Sequence, residues 1–435
     1  MIITNLRIIT NDEKLGFIDG GAILVENGEI VDVGRKDELI RNGRIQEVYD
    51  GSGMFAIPGL VNLHLNLNFA FLRIPLFLDR TNILKQKREL KRKFEEVFTP
   101  ELLHVVSSFS ALESLKNGVT TIIGSFISKF DESHLTVKSA FENVGIRGIM
   151  GREICGDTIR DFIKHLETDR TFHEDLSDQF YFVQLILKPH NILIPKNLEF
   201  LSSLSTSSIR FKFVMECKEE KDEMLTKYSV NFIDLLAKHG ILPENSMLVP
   251  FCNLTEEELD SLASRSSSIV LTPRTNAIYG VKHTEVMGVI GRGISSGIGT
   301  GELDYNVVEE FRSFLIFQGT EKLSAESSNL FEFITSAFKG GYNILENLTG
   351  MKFGKIKPGY RADIVLLDAP ELPCPKDEML YRFMAFFLLK ISNVKTVFVD
   401  GKKVLEDGRL VSTSQDEILM ETSKVYRELF EDLMK

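Results

Sequence analysis

The middle of the chain alternates between segments typical of buried strands and segments typical of helices. This alternation restricts the fold more than any other feature. Eight short apolar segments have the length and composition of strands, and helical patterns separate most of them. The predicted strands lie at residues 60–66, 119–125, 146–153, 181–187, 209–217, 247–253, 268–273 and 294–300. Strand–helix repeats of this kind predict an α/β fold, here a (β/α)8 TIM barrel over residues 58–355.

The two ends of the chain look different from the middle, because both are rich in short strands and tight turns. Asn27-Gly28 and Asp400-Gly401 are strong hairpin signals, each between apolar segments. We therefore predict one small composite β-sandwich domain, built from residues 1–57 and 356–412. A helix is predicted to close the chain over residues 413–435.

Composition excludes several classes of protein. The 62 acidic residues outnumber the 51 basic ones, for a net charge of −11, which argues against a nucleic-acid-binding protein. No run of about 18 apolar residues is present, so we expect no membrane span. The first residues lack the pattern of a secretory signal, and the four cysteines form no CxxC pair. These features predict a cytoplasmic protein.

Three motifs carry a resemblance to a known family. PGLVNLHLN lies at residues 58–66, GVTT at 118–121 and KPGYRADIVLLD at 357–368. In this order and spacing they resemble the amidohydrolase superfamily, in its cytosine-deaminase-like, chlorohydrolase and aminohydrolase branch. The resemblance covers nearly the whole chain. It implies a barrel enzyme in which a bound metal activates water for attack on a C–N or C–Cl carbon.

The resemblance also implies a set of metal ligands, and this sequence departs from that set. The family uses His-x-His on strand one, one histidine on each of strands five and six, and an aspartate on strand eight. His64 matches the first histidine, while Leu271 replaces a further histidine often found on strand seven. The remaining four ligand positions hold, in order, Asn66, Phe213, Pro250 and Gly301. A catalytic zinc usually needs about three protein ligands, so we predict that the family metal site is absent and expect no cofactor.

Two residues remain candidates for catalysis, Glu216 and His64. Glu216 matches the family's proton-shuttling glutamate, although it could equally form a structural ion pair, with Arg274 or Lys212 as partner. His64 could equally be a hydrogen-bonded core histidine. The candidates for a substrate pocket are Asn66, Arg73, His190, Arg274 and Asp304.

A different metal site could in principle use His64, Cys217 and Cys252, because alternation along strands five and six places both thiols inward. We favour the simpler interpretation, in which both cysteines are core residues. Glu302 and Asp304 follow strand eight and could partly replace the missing acid, but we favour solvent-facing positions for both.

The segment KQKRELKRKFEE at residues 85–96 is dense in charge. It could form a basic contact for an anionic partner, but we favour a solvated helix with i,i+4 ion pairs such as Glu89–Lys93.

The sequence thus predicts a hydrolase-like member of the amidohydrolase superfamily without the usual metal site, whose reaction is lost or altered. The alternative is a non-catalytic protein that binds a small molecule or serves as a partner or scaffold subunit. A homo-oligomer is expected, with a small molecule as its candidate ligand and no nucleic-acid or membrane partner. Fold alone does not decide between these functions.

Overall fold

The protein is described by a computed structural model that covers most of the chain. The described residues are 1–41, 47–78, 83–128, 130, 133–153, 183–187, 199, 202, 210–215, 222, 225–226, 229, 231–240, 246–250, 253–282, 284, 286–322, 330–368 and 393–434. Their strands form two sheets, one of eight strands and one of nine.

The strands and helices follow in chain order. The strands are β1 (Ile2–Ile9), β2 (Phe17–Glu26), β3 (Glu29–Arg35), β4 (Val48–Asp50), β5 (Met54–Pro58), β6 (Leu60–Asn66), β7 (Val119–Ile127), β8 (Arg147–Glu153), β9 (Val183–Leu187), β10 (Arg210–Met215), β11 (Met247–Pro250), β12 (Ser268–Leu271), β13 (Ser296–Ile298), β14 (Ile364–Asp368), β15 (Val394–Val399), β16 (Lys402–Glu406) and β17 (Arg409–Leu410). The helices are α1 (Lys36–Arg41), α2 (Phe69–Leu78), α3 (Ile83–Val97), α4 (Pro100–Lys116), α5 (Ser133–Val144), α6 (Phe232–Lys238), α7 (Glu256–Ala263), α8 (Pro273–Ile278), α9 (Val286–Gly291), α10 (Val307–Lys322), α11 (Leu330–Thr349) and α12 (Gln415–Met434).

The eight-stranded sheet consists of β6 to β13, which pair in chain order with parallel neighbours. Each of the eight predicted strands is confirmed. The first and last strands are joined by two hydrogen bonds: Gly301 N donates to His64 O at 2.7 Å, and Asn66 N donates to Gly301 O at 3.0 Å. This is the arrangement of a TIM-barrel-type fold. We call the carboxyl ends of these strands the mouth and their amino ends the base.

Apolar side chains from several strands of this sheet form one continuous core. Leu63, Ile123, Ile149, Val249 and Val270 come from five of the strands and are buried in the same cluster. Branched aliphatic residues fill the interior of such barrels in layers, so the polar residues of interest are confined to the two ends of the strands.

The nine-stranded sheet is built from both chain ends, as predicted. Its central connection is the antiparallel pair of β5 and β14, which joins residues near the start of the chain to residues near its end. Among the described strands the pairing runs through one continuous sheet, with β4 paired to β1 outside the main path. The sandwich arrangement stays a prediction. We call this nine-stranded sheet the terminal sheet.

A buried ionic cluster holds the terminal sheet against the base of the barrel. Arg147, the first residue of β8, donates to Asp363 and lies 2.6 Å from Asp400 through Nη2. Asp400 also accepts from Nε of Arg361 at 2.6 Å. These acids hold the pKa of the Arg147 guanidinium above its usual value, although burial alone would lower it.

Two helices have well-defined positions in the fold. Thr99 caps α4 by accepting from the backbone N–H of Leu102, and Pro100 occupies the first helical position. The closing helix is α12, which packs mainly on α4. In the described part of the chain, no helix combines the length and the apolar character needed to cross a bilayer.

Candidate functional site

The first barrel strand presents His64 and Asn66 at the mouth, and both side chains are buried, with exposed fractions of 2% and 3%. Nearby, Asn62 fastens this strand to the end of strand eight. Its Nδ2 donates to Thr300 Oγ1 at 2.8 Å, and its Oδ1 accepts from Thr300 N at 3.1 Å. These two hydrogen bonds therefore link the first and last strands of the barrel.

Asn66 occupies the position that the family resemblance assigns to a metal-binding histidine. Its amide nitrogen donates to Glu153 Oε1 at 2.8 Å, while its oxygen accepts from Asn68 N at 3.2 Å. Ser125 Oγ donates to the same Glu153 oxygen at 3.2 Å. The side-chain oxygen of Asn66 thus accepts a backbone hydrogen bond, and an amide oxygen is in any case a poor ligand for a catalytic zinc ion.

Gly301 occupies the position of the family aspartate, and its surroundings leave little room for a side chain. Its φ is 63°, in the left-handed region. An added Cβ would lie 2.5 Å from Oγ1 of Thr275, a buried residue whose hydroxyl donates to Thr300 O at 3.3 Å. The backbone N–H and C=O of Gly301 make the two bonds that join strands one and eight.

Pro250 ends β11, at the position of the strand-six histidine, and its carbonyl oxygen accepts from Asn276 Nδ2 at 3.3 Å. Leu271 ends β12 and is buried. Phe213 lies on β10, but its side chain is outside the described part of the structure. Taken together, the residues at the family ligand positions do not fit a catalytic metal.

Helix α3 contains the charged segment 85–96, and the expected solvated position is wrong for two of its lysines. Lys87 and Lys91 are buried, with exposed fractions of 3% and 7%. Lys91 Nζ lies 3.2 Å from Glu153 Oε2, and Lys87 Nζ lies 2.7 Å from Glu302 Oε1. The helix therefore points two ammonium groups at the mouth, where each meets a buried carboxylate.

Glu302 was expected to face solvent, and this expectation is also wrong, since its exposed fraction is 4%. Besides the ammonium of Lys87, it accepts a hydrogen bond from the hydroxyl of Tyr279. Its backbone N–H donates to Thr275 Oγ1 at 3.3 Å. The position of Glu302 is thus fixed by Lys87 of α3, by Tyr279 directly after α8, and by the hydrogen bond of its own backbone N–H.

Arg274 pairs with the pocket candidate Asp304, with Nη1 2.6 Å from Oδ2, and this pair is only partly buried. The backbone N–H of Arg274 donates to the buried carboxyl of Glu310 at 2.9 Å. Burial raises the pKa of Glu310 well above its usual value, and the nearby Arg274 only partly opposes this. Arg73 donates from Nε to the Phe69 carbonyl within its own helix, and its guanidinium lies over the Tyr305 ring.

The other sequence candidates fall on residues outside the described structure. They are Glu216, His190, Cys217 and Cys252. Their predicted roles in catalysis, in a pocket or in an alternative metal site stay predictions. In the part of the chain that is described, no group of three or more His, Cys, Asp or Glu side chains is arranged to hold a metal ion.

The sequence did contain a signal for the buried lysines. Lys87 and Lys91 share a helical stripe with Leu90 and Phe94, at spacings of three and four residues. Leu90 and Phe94 are buried. The helical spacing therefore places these two lysines on the buried face of α3, together with the core residues Leu90 and Phe94.

Comparison with known proteins agrees with this architecture. The model of the amidohydrolase family matches residues 55–404. A 5-methylthioadenosine/S-adenosylhomocysteine deaminase of Pyrococcus furiosus is 27% identical, over 98% of this chain and 100% of its own. One of Halothermothrix orenii is 24% identical, over 98% and 99%.

Solved structures agree as well. An adenosine deaminase from Xanthomonas campestris, solved with bound zinc, superposes with a TM-score of 0.84 at 18% identity, over 99% of this chain and 98% of its own. The atrazine chlorohydrolase TrzN of Arthrobacter aurescens, in complex with zinc, superposes with a TM-score of 0.78 at 20% identity, over 98% and 99%. The predicted resemblance is confirmed, and the chain belongs to the amidohydrolase family of hydrolases, in its deaminase and chlorohydrolase branch.

Proposed function

We propose that this protein has kept the amidohydrolase fold but has lost metal-dependent hydrolysis, and that it is a non-catalytic member of the family. One observation carries the proposal. Three implied ligand positions hold Asn66, Pro250 and Gly301, and none of them presents the imidazole or carboxylate that a catalytic ion needs. The side chain of Asn66 is instead hydrogen-bonded to Glu153 and to the backbone of Asn68.

The chemistry of the substituted residues supports the same conclusion. Neither Phe213 nor Pro250 has a side-chain lone pair to offer, and Gly301 has no side chain. His64 is then the one family ligand retained in the sequence, and a single imidazole does not hold zinc against water. Without a metal to lower the pKa of a bound water, that water is a poor nucleophile at neutral pH.

The test is an assay of the purified chain for both metal and turnover. Ammonia release would be measured from 5′-methylthioadenosine, S-adenosylhomocysteine and adenosine, and chloride release from a chlorotriazine, each with and without added Zn²⁺. The Pyrococcus furiosus relative serves as the positive control under the same conditions. We expect no release above the buffer rate and no stoichiometric transition metal after purification.

The competing function, a hydrolase with altered ligands, depends on Glu216, Cys217 and Cys252, and the same assay decides it. Turnover that disappears in both Glu216→Gln and His64→Ala variants would contradict our proposal. So would one equivalent of metal that His64→Ala or Cys217→Ala releases. The predictions of a homo-oligomer and of a small-molecule ligand stay predictions, and sedimentation analysis of the purified protein tests the first.

A further inference from the structure

The two buried lysines of α3 are placed as a pair. Lys87 and Lys91 are four residues apart, so they lie one above the other on the same face of the helix. Both ammonium groups lie near the ring of Phe69, at 5.6 Å and 5.7 Å from its centroid. Phe69 begins α2, directly after the first barrel strand. The pair is therefore held beside the strand that carries His64 and Asn66.

Each lysine meets a different carboxylate, and each carboxylate comes from a different strand end. Glu153 is the last residue of β8, and it accepts from Asn66 and Ser125 through one oxygen while the other faces Lys91. Glu302 follows strand eight, and its oxygens face Lys87 and Tyr279. Lys87 Nζ also lies 4.7 Å from the Tyr279 ring centroid.

A buried carboxylate is costly unless a cation and hydrogen bonds compensate it. The two zinc-containing neighbours hold a cation as a bound ion. Here Asn66, at an implied ligand position, is hydrogen-bonded to one of the two acids that the lysines neutralise. The part of the fold to which the resemblance assigns the metal therefore contains positive charge supplied by the chain.

We propose that Lys87 and Lys91 are the cations of the barrel mouth, so that α3 supplies in covalent form the positive charge that a bound metal supplies in the zinc-containing neighbours. This inference rests on the proposed function, because the ammonium groups and a catalytic ion would compete for the same acidic side chains. It assigns α3 a definite role: its two ammonium groups neutralise the buried carboxylates of Glu153 and Glu302.

The experiment consists of two double-mutant cycles on the full chain. One uses Lys87→Met and Glu302→Gln, and the other uses Lys91→Met and Glu153→Gln. Methionine keeps most of the apolar stem of lysine and glutamine keeps the shape of glutamate, so each substitution removes mainly charge. Lys93→Met, at a partly exposed position of the same helix, is the matched control.

We expect each single lysine variant to lower Tm by about 5 °C or more, because it leaves a buried carboxylate without its ammonium group. Each double variant should recover more than half of that loss, since removing both charges of a buried pair is far less costly than removing one. Lys93→Met should shift Tm by no more than about 1 °C.

Two results would overturn the inference. In the first, the Lys87→Met and Lys91→Met variants unfold at the wild-type temperature. The apolar stems of the two lysines would then account for their contribution to stability, and the ammonium groups would add nothing. In the second, the cycles are additive, so that the charges do not interact. The metal and turnover assays are independent of these cycles. A metal-containing, active wild type would refute the proposed function, while additive cycles in an inactive, metal-free protein would refute only the role of the lysines.

Discussion

The base and the mouth of the barrel can be compared along a single strand. β8 begins at Arg147 and ends at Glu153, about 20 Å apart by the rise of an extended chain, and the two residues share one face of the strand. Arg147 is buried against Asp363 and Asp400 of the terminal sheet. Glu153 is buried against Lys91 of α3. Each end of the strand thus holds one buried charge that is neutralised by a segment distant in sequence.

The comparison shows how buried charge is distributed between the two ends of the barrel. In TIM barrels the base serves stability and the mouth serves chemistry. Here both ends carry ion pairs closed within the chain, so the mouth contains the kind of interaction that is usual at the base. The two ends still differ in which element supplies the oppositely charged residue. At the base it is the terminal sheet, and at the mouth it is the single helix α3.

The largest effect is expected at the base, from Arg147→Met. The substitution leaves Asp363 and Asp400 without the guanidinium that lies between them, and breaking a buried pair in this way costs about 3–5 kcal/mol. The free energy of unfolding, measured with urea, should fall by that amount. An unchanged free energy of unfolding would mean that the terminal sheet is held mainly by its apolar contacts. The base would then not depend on a buried ion pair, as the comparison of the two ends requires.

A smaller effect that depends on pH is expected from Glu310→Gln, near the mouth. Burial raises the pKa of Glu310 in the folded state, so the wild type loses stability as the pH rises through that value and the carboxyl ionises. Glutamine cannot ionise. The variant should therefore match the wild type at low pH and become relatively more stable as pH increases. Thermal unfolding between acidic and alkaline pH measures this difference, and parallel curves would contradict it.

A still smaller loss is expected from Tyr342→Phe. The Tyr342 hydroxyl donates to the Gly59 carbonyl at 2.9 Å, where the chain passes from the terminal sheet into the barrel. Removal of the hydroxyl leaves a buried carbonyl without this donor, which costs about 1 kcal/mol. Urea unfolding measures the change. A loss as large as that of Arg147→Met would show that the base depends on hydrogen bonds as much as on charge.

The smallest effect is expected from Arg292→Ala, which provides the baseline for both ends. Arg292 pairs with Glu256 and Asp260, and both acids are mostly exposed. Water and salt screen pairs of this kind, so the melting temperature should remain at the wild-type value. A clear fall in the melting temperature would mean that ion pairs stabilise this protein regardless of burial. The expected difference between exposed and buried ion pairs would then be contradicted.

Much of the fold was predictable because it depends on local patterns. The strands β6 to β13 are short apolar segments between helices, and the cap at Thr99 requires only its own neighbours. The loss of the family ligands is also a property of the sequence alone. The strands of the terminal sheet were predicted, but their pairing into one sheet depends on contacts between the two chain ends.

The arrangement of the mouth was not predicted, since it depends on contacts between distant parts of the chain. Lys91 pairs with Glu153, which lies 62 residues later in the chain. Lys87 pairs with Glu302, which follows the last barrel strand. Charges of both signs alternate in the α3 sequence, and that pattern is usual on solvated helices. Only the burial of Leu90 and Phe94 on the same stripe distinguishes this helix from a surface one.

The backbone of Gly301 has a consequence for any redesign of this site. Its N–H and C=O groups join strands one and eight, so the position cannot shift freely to make room for a side chain. An aspartate placed there would put its Cβ 2.5 Å from Oγ1 of Thr275. A redesign that adds a carboxylate at this position must therefore also accommodate a movement of the Thr275 side chain.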